Sequence, residues 1–222
     1  MSRAERIRVL SRLGRAVSQQ LAKPQGVLGR LFGRALAKQN LSLNAWMVEL
    51  LDVQPHDRVL EVGCGPGTAI QQLAAKASSG LVAGVDYSRV MVAQARDRNR
   101  LAVRAGTVEV KEGDAAHLPY PEGRFDAACA VNVLYFWADP LVALQELRRV
   151  LRPAGRIALA YQVEAHTPPQ LRTAFSQAGY HLVTAEQVEQ LLAQAGFIQV
   201  RTEVKQGPLA PEGFCTLGRN PA

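Results

Sequence analysis

A short apolar run that leads directly into closely spaced glycines constrains the fold of this chain more than any other segment. Val59, Leu60 and Val62 are typical of a buried parallel strand, and residues 63–67 (Gly-Cys-Gly-Pro-Gly) follow at once. Glycine permits positive φ angles and lets a ligand approach the backbone closely, and proline is well tolerated in the first turn of a helix. The pattern therefore predicts a strand, a ligand-binding loop and a helix, in that order.

The chemical nature of the ligand is indicated by the glycine spacing and by one carboxylate. In the dinucleotide-binding fingerprint G-x-G-x-x-G, the position of the third glycine is occupied here by Thr68, and Gly67 comes one residue early. Glu61, two positions before Gly63, would repel a pyrophosphate and attract an ammonium group. The sequence therefore favours a ligand with positive charge near the loop and disfavours a nicotinamide dinucleotide.

The segment from Glu61 to Gly67 resembles the first motif of the class I (Rossmann-like) S-adenosylmethionine-dependent methyltransferases, whose ligand carries an ammonium and a sulfonium. Three later segments resemble further motifs of this family and follow in the expected order. They are the apolar run that ends at Asp86, the pattern L-P-x-P-x-x-x-F-D at 118–126, and the helix, turn and strand at 147–157. The resemblance covers roughly residues 40–161 and is to small-molecule enzymes of the ubiquinone and menaquinone biosynthesis type.

This resemblance implies an α/β fold. The expected architecture is a Rossmann-like, doubly wound sheet of seven mostly parallel strands with an antiparallel C-terminal hairpin, preceded by N-terminal helices. A chain of 222 residues is long enough for one such domain with a full core and a modest extension. We expect a basic helical N-terminal extension over residues 1–40 and the methyltransferase domain over residues 41–222.

The resemblance also implies how S-adenosylmethionine is bound. Asp86, at the tip of the second predicted strand, would accept hydrogen bonds from both ribose hydroxyls, and Asp114 with the backbone of Ala115 would bind the adenine amine. Asp86 could instead cap the next helix, but Ser88 already stands at the cap position, and Asp114 could belong to an ordinary turn. The predicted cofactor-binding residues are Glu61, Gly63, Gly65, Gly67, Asp86, Tyr87, Asp114, Ala115 and Asn132.

Two further segments are expected near the reacting groups. Residues 41–53 predict a helix, which by the resemblance lies across the cofactor pocket, so that Asn40, Asn44 and Trp46 could line the site; Trp46 would fit a core position equally well. The aromatic run 135–137 follows the fourth predicted strand. It could close over an apolar acceptor or face the sulfonium through cation–π attraction.

Methyl transfer from a sulfonium requires alignment and exclusion of water more than acid or base assistance to the leaving group. The motifs contain no paired carboxylates and no nucleophile–base signature, and the catalytic residue is left unassigned. A hydroxyl acceptor would need a base, for which Tyr135, His117 and His166 are the candidates. The expected reaction is in-line transfer to a small-molecule acceptor, with S-adenosylhomocysteine as the product.

The formal charge of +7 is concentrated in the N-terminal extension. Residues 1–40 contain nine basic side chains and the single acid Glu5, a net charge of 9 − 1 = +8, so the remaining residues carry 17 − 18 = −1. Residues 3–21 predict an amphipathic basic helix. A solvated helix, contact with RNA or anionic lipid, and an organellar transit peptide are all compatible with this pattern.

Several function classes are disfavoured by missing motifs. The fourth predicted strand is not followed by the D/N-P-P-Y/F motif of DNA amino-methyltransferases or by the Pro-Cys pair of cytosine-carbon enzymes. Cys64, Cys129 and Cys215 are far apart in sequence, which argues against a disulfide framework, a metal site and an arsenite methyltransferase, and fits the cytoplasm. Two alternatives stay open: an RNA methyltransferase guided by the basic extension, and a protein that binds the cofactor without catalysis. The oligomeric state is not predicted.

Overall fold

The computed structural model describes residues 40–163, 182–207 and 211–222, together with residues 26, 29, 167, 172, 173, 175, 176 and 180. The predicted helix at 3–21 and the candidate base His166 therefore lie outside the described residues.

Helices and strands alternate along most of the described chain. The helices are α1 (Leu41–Leu50), α2 (Thr68–Lys76), α3 (Arg89–Arg98), α4 (Arg100–Arg104), α5 (Pro140–Val150) and α6 (Ala185–Gln194), with a short 3₁₀ turn at Leu134–Phe136. The strands are β1 (Arg58–Val62), β2 (Leu81–Asp86), β3 (Val108–Glu112), β4 (Phe125–Val131), β5 (Leu151–Tyr161), β6 (Ile198–Gln206) and β7 (Pro211–Arg219).

The strands form one seven-stranded sheet in the order β3-β2-β1-β4-β5-β7-β6. The strands β1 to β5 pair in parallel, whereas β7 is antiparallel to both β5 and β6. The predicted doubly wound, mostly parallel sheet with an antiparallel C-terminal hairpin is confirmed. The strand order reverses between β1 and β4, which is the place where doubly wound sheets bind their ligands.

Helices cover both faces of the sheet because successive strand residues point to opposite sides. On one face, Leu60 of β1 lies in a hydrophobic cluster with Leu144 and Leu147 of α5. On the other face, Val59 lies in a cluster with Met47 of α1 and Ile70 of α2. The two buried layers explain why the central strands read as continuous apolar runs in the sequence.

Helix starts follow the local sequence. Ser88 accepts a hydrogen bond from the Met91 N–H at the start of α3, and Asp139 accepts from two amides at the start of α5, where Pro140 is the first helical residue. The sequence Thr-Ala-Glu-Gln at 184–187 predicts a capping box, and Thr184 and Gln187 form it at the start of α6. These caps confirm the predicted helix starts. None of the helices in the described part of the chain has the length and apolar character that a transmembrane helix needs.

Candidate functional site

The glycine loop joins the end of β1 to the start of α2 at the carboxyl edge of the sheet. Gly63, Gly65 and Gly67 have φ angles of 71°, 50° and 76°, all in the left-handed region that favours glycine. The Gly63 N–H donates to the Val85 carbonyl over 2.7 Å, so the loop is fastened to the end of β2. A Cβ atom added to Gly65 would meet no atom within 4 Å, so the backbone is open to a ligand at this point.

Glu61 supplies a buried carboxylate directly beneath this loop. Its side chain is 3% exposed, and its Oε2 atom has no hydrogen-bond partner among the described residues. Desolvation by burial, and next the neighbouring charge of Asp86, raise the pKa of Glu61 well above its usual value. A buried carboxylate without a partner is costly, and a cationic group bound next to it would remove that cost.

Asp86 connects the glycine loop to the end of β2. Its Oδ2 atom accepts from the Gly65 N–H and its Oδ1 atom accepts from the Ser88 N–H, each over 2.8 Å. Burial raises the pKa of Asp86, while these two hydrogen bonds act in the opposite direction. Each carboxylate oxygen retains a second lone pair. The predicted ribose contacts are therefore compatible with the observed bonds, and Asp86 in addition fixes the shape of the loop.

Three more residues predicted to bind the cofactor follow β2 and β3, on the same edge of the sheet: Tyr87 after β2, and Asp114 and Ala115, the predicted adenine contacts, after β3. Tyr87 is 42% exposed, and desolvation raises its pKa. Asp114 is exposed, and its Oδ1 atom accepts a hydrogen bond from the Ala116 N–H over 2.9 Å in a local turn. The neighbouring Ala115 is buried. The carboxyl edge thus brings together the residues that the sequence predicts for the cofactor, and their individual roles stay predictions.

Asn132 links the end of β4 to the start of α1. Its Nδ2 atom donates to Asn40 Oδ1 over 3.1 Å, and its Oδ1 atom accepts from the Tyr135 hydroxyl over 3.0 Å. Asn44 is buried in α1, and Trp46 is half-buried against the α1-side hydrophobic cluster. The structure therefore brings Asn40 to the site, whereas Trp46 packs on the core.

The described candidate bases differ in their surroundings. The Tyr135 hydroxyl is buried and accepts a hydrogen bond from the Gln162 N–H over 2.6 Å. Burial raises the pKa of this hydroxyl well above the usual tyrosine range, which opposes a role as a base. His117 is exposed, and its backbone N–H donates to the Asp114 carbonyl over 3.1 Å. Neither residue shows the arrangement expected of an activated base.

Sequence reasoning missed residues that support the glycine loop from behind. Asn99 donates to the Gly67 carbonyl over 3.0 Å, and the Arg98 guanidinium donates to the Pro66 carbonyl over 2.9 Å. A Cβ atom on Gly67 would lie 2.7 Å from the Asn99 side chain, so only glycine fits there. No local pattern marks these contacts, because α3 passes behind the loop only in the folded chain.

The three cysteines, far apart in sequence, share one buried core layer on the α1 side of the sheet. Cys64, Cys129 and Cys215 are free thiols, and burial is the main cause that raises the pKa of each. Within the described ranges, no group of His, Cys, Asp and Glu side chains has an arrangement that could hold a metal ion. The thiols are therefore core residues.

The site fits S-adenosylmethionine in charge and in shape. The unpartnered Oε2 atom of Glu61 suits the ammonium group, and the open backbone at Gly65 allows close approach of the amino-acid part. Asp86 stands at the tip of the neighbouring strand, where the family holds the ribose. No positively charged side chain is needed in this loop, in contrast to many phosphate sites.

Known proteins match the chain over the same segment. A protein family described as a methyltransferase domain matches residues 60–159. The methyltransferase GfsG of Streptomyces halstedii is 35% identical over 156 residues, which are 70% of this chain and 56% of that protein. The 2-phytyl-1,4-naphtoquinone methyltransferase of Synechococcus elongatus is 38% identical over 122 residues, 54% of this chain and 51% of that protein. The chain thus spans about half the length of these two relatives.

The fold agrees with this match. The crystal structure of a methyltransferase dependent on S-adenosylmethionine from Aquifex aeolicus superimposes with a TM-score of 0.69 at 20% identity, covering 86% of this chain and 98% of that one. The family match lies on the segment that carries the glycine loop, Asp86 and β4. Residues 60–159 are therefore a methyltransferase domain, with the Rossmann-like fold of the class I S-adenosylmethionine-dependent methyltransferases, and S-adenosylmethionine is its cofactor.

Proposed function

We propose that this methyltransferase transfers the methyl group of S-adenosylmethionine to a small-molecule acceptor by in-line displacement and releases S-adenosylhomocysteine. The observation that carries the proposal is the open left-handed glycine loop next to the buried Glu61 carboxylate, whose Oε2 atom has no hydrogen-bond partner among the described residues. The name of one relative, a methyltransferase for 2-phytyl-1,4-naphtoquinone, supports a small molecule as the acceptor. Whether the accepting atom is oxygen, nitrogen, carbon or sulfur is left open by this proposal.

An aromatic cluster beyond β4 supports a small and largely apolar acceptor. The rings of Phe136 and Phe175 are stacked with centroids 5.7 Å apart, and Tyr180 meets Phe136 edge to face at 5.0 Å. Tyr135 meets Phe175 edge to face at 5.6 Å. Ligands of doubly wound sheets bind beyond the carboxyl ends of the strands, so this cluster adjoins the expected acceptor position. Apolar rings at that position would exclude water from the reacting groups.

When bound, S-adenosylmethionine supplies a methyl group attached to a positively charged sulfur. In this proposal the glycine loop and Glu61 anchor the amino-acid part, Asp86 holds the ribose, and the aromatic cluster excludes water. Alignment of the reacting groups is the largest contribution that such a site can make. The Tyr135 hydroxyl stays neutral and hydrogen-bonded, and a hydroxyl acceptor would need a base from elsewhere, for which His117 and His166 stay candidates.

We also propose that residues 41–222 form the methyltransferase domain, that residues 1–40 form a separate basic extension, and that the protein acts in the cytoplasm. The charge of the extension, 9 − 1 = +8, supports contact with an anionic surface. The small-molecule reaction does not need this contact, which is why binding to RNA or to an anionic membrane is not favoured as the main function.

The test uses the full chain with S-adenosylmethionine labelled in its methyl group. The labelled cofactor is incubated with the low-molecular-weight fraction of a cell extract and, separately, with total RNA. We expect label in an organic-soluble small molecule and none in RNA. Label in RNA alone would replace the proposal by the RNA methyltransferase alternative. Tight cofactor binding in calorimetry without label in either fraction would instead identify a non-catalytic binding protein.

A further inference from the structure

The turn after β4 has an unusual backbone conformation. Asn132 has a φ of 54°, in the left-handed region, where residues other than glycine are uncommon and where asparagine is tolerated better than most. The Asn132 N–H donates to the Ala160 carbonyl of β5 over 2.8 Å, so the first residue of the turn is still hydrogen-bonded to the sheet. A conformation of this kind persists only when the surroundings hold it in place.

Hydrogen bonds to the Asn132 side chain provide that hold. The Nδ2 atom of the Asn132 side chain donates to Asn40 Oδ1 over 3.1 Å. The Oδ1 atom accepts from the Tyr135 hydroxyl over 3.0 Å. The Tyr135 hydroxyl in turn accepts from the Gln162 N–H over 2.6 Å. The Tyr135 hydroxyl therefore fastens the β4 turn to the end of β5, and the Asn132 amide fastens it to the start of α1.

The turn is in direct contact with the glycine loop. Val133, the residue after Asn132, lies against the Cα atom of Gly63: a Cβ atom built on Gly63 would be 2.5 Å from Val133 Cγ1 and 2.9 Å from Val133 Cβ. This contact crosses the switch point between β1 and β4. The backbone conformation at Asn132 therefore determines where the Val133 side chain meets the loop that binds the cofactor.

We propose that Tyr135 is a positioning residue for cofactor binding: its hydroxyl holds the Asn132 turn, and the turn holds Val133 against Gly63, so that the glycine loop keeps its binding conformation. This inference concerns cofactor affinity only. It goes beyond the proposed transfer to a small molecule, and it can be tested without knowledge of the acceptor.

The environment of Tyr135 agrees with a positioning role. Its side chain is 7% exposed, and the ring packs edge to face on Phe136 with centroids 5.8 Å apart. Burial raises the pKa of the hydroxyl, so it stays protonated and keeps its capacity to donate to Asn132 while it accepts from Gln162. A base would need the opposite shift of the pKa.

The first test compares Tyr135→Phe with the matched control Tyr161→Phe. Tyr161 is also fully buried, and its hydroxyl is within 2.7 Å of the Thr216 hydroxyl on β7, away from the glycine loop. Each substitution removes one buried hydroxyl, and because the Tyr135 hydroxyl has two partners, Asn132 and Gln162, we expect Tyr135→Phe to lower the unfolding temperature at least as much as Tyr161→Phe. We expect Tyr135→Phe to weaken S-adenosylhomocysteine binding in calorimetry about tenfold, and Tyr161→Phe to change it less than twofold. Equal affinities in the two variants would overturn the proposal.

A second pair of variants separates the backbone from the side chain. Asn132→Gly removes the amide but adopts left-handed φ angles readily, whereas Asn132→Ala removes the amide and resists that conformation. We expect the glycine variant to lose about threefold in affinity and the alanine variant to lose more than tenfold, both measured by calorimetry with S-adenosylhomocysteine. If Tyr135→Phe does not fold, the two Asn132 variants test the proposal by themselves. Equal affinities of Asn132→Gly and Asn132→Ala for S-adenosylhomocysteine would show that the turn conformation is unrelated to cofactor binding.

Discussion

Among single residues, Glu61 has the largest conflict between burial and charge. The sequence predicts its position two residues before the first glycine, but the sequence contains no information on how completely the carboxylate is desolvated. In the structure it is 3% exposed with one oxygen unpartnered among the described residues. A group in this state opposes folding of the free protein and favours binding of a cation, because the ligand supplies the missing counter-charge. These features support the predicted role of Glu61 in cofactor binding.

We predict that Glu61→Gln weakens S-adenosylmethionine binding while it leaves the free protein as stable as before or more stable. The loss of a charge-assisted interaction of about 1.5–3 kcal/mol corresponds to roughly tenfold to hundredfold in affinity. Glu61→Gln removes the buried charge and its desolvation cost, and the glutamine carbonyl can still accept the hydrogen bond that the Ile70 N–H donates to the carboxylate. Calorimetry and thermal unfolding measure the two effects. Unchanged affinity would contradict the assigned role.

The same residue predicts a pH dependence. The folded-state pKa of Glu61 is raised, so its contribution to stability is fully present below the unfolded value and is lost as the pH rises through the raised value. Ligand binding follows the opposite trend, since the ammonium group requires the ionised carboxylate. We expect the affinity to increase from pH 5 towards neutrality and to increase less steeply in Glu61→Gln. Asp86, whose pKa is also raised, is present in both proteins, so part of the pH dependence remains in the variant. Calorimetry across this pH range is the measurement, and parallel curves would contradict the assignment.

At the scale of the elements, the sequence predicted those parts that local rules determine. The capping box at Thr184 and the Asp139 cap are confirmed, because a cap needs only neighbouring residues. The sequence predicts one helix from Arg89 to Arg100, and this prediction is wrong at its end, because α3 stops at Arg98 and α4 begins at Arg100. The cause is Asn99, whose side chain turns towards the glycine loop to donate to the Gly67 carbonyl. Such a long-range contact has no local pattern.

The start of β5 is a second case. The sequence predicts a turn at 152–155, whereas the structure includes these residues in β5, with a register irregularity against β4 and with Ala154 at a φ of 59°. Asn220, at the far end of the chain, holds this segment: its N–H donates to the Gly155 carbonyl over 2.8 Å, and its side chain donates to the Leu151 and Arg152 carbonyls over 2.9 Å and 3.1 Å. The irregular start of β5 is therefore stabilised by the C-terminal residues.

We predict that Asn220→Ala destabilises the protein by about 1–3 kcal/mol, because carbonyls at the start of β5 lose their donor. For a protein of this size, the unfolding temperature should fall by roughly 2–4 °C for each kcal/mol. Arg201→Ala is a suitable control, since the ion pair of Arg201 with Glu203 is exposed and its loss should cost less than about 0.5 kcal/mol. Cofactor affinity should be the same in both variants, and equal unfolding temperatures would contradict the role of Asn220.

At the scale of the whole molecule, binding and stability residues lie on opposite edges of the sheet. The residues predicted to bind the cofactor lie at or just after the carboxyl ends of β1, β2, β3 and β4. This arrangement was predictable, because the motifs occur in the order that the family fold requires. The contact between Asn40 and Asn132 was not predictable, since it joins residues 92 positions apart and depends on how α1 packs across the sheet. The same holds for the Val133 contact with Gly63.

The amino edge of the sheet is held together by a partly buried ion pair. Arg156 of β5 donates to the Asp57 carboxylate just before β1, and its Nε atom donates to the Leu51 carbonyl at the end of α1 over 3.1 Å. The two charged side chains are 18% and 8% exposed. One guanidinium thus connects β5 to the end of α1 and to the turn before β1, two segments that lie about 100 positions earlier in the sequence.

We predict that Arg156→Met destabilises the protein by about 3 kcal/mol, because it leaves the Asp57 carboxylate buried without its counter-ion and the Leu51 carbonyl without its donor. The double variant Asp57→Asn with Arg156→Met should recover part of this loss, since the uncompensated charge is then absent. Urea unfolding measures both. S-adenosylmethionine affinity should change less than twofold in either variant, because the pair lies at the edge opposite to the glycine loop. A large loss of affinity at unchanged stability would show that the two edges are coupled, and it would contradict the division of binding and stability between them.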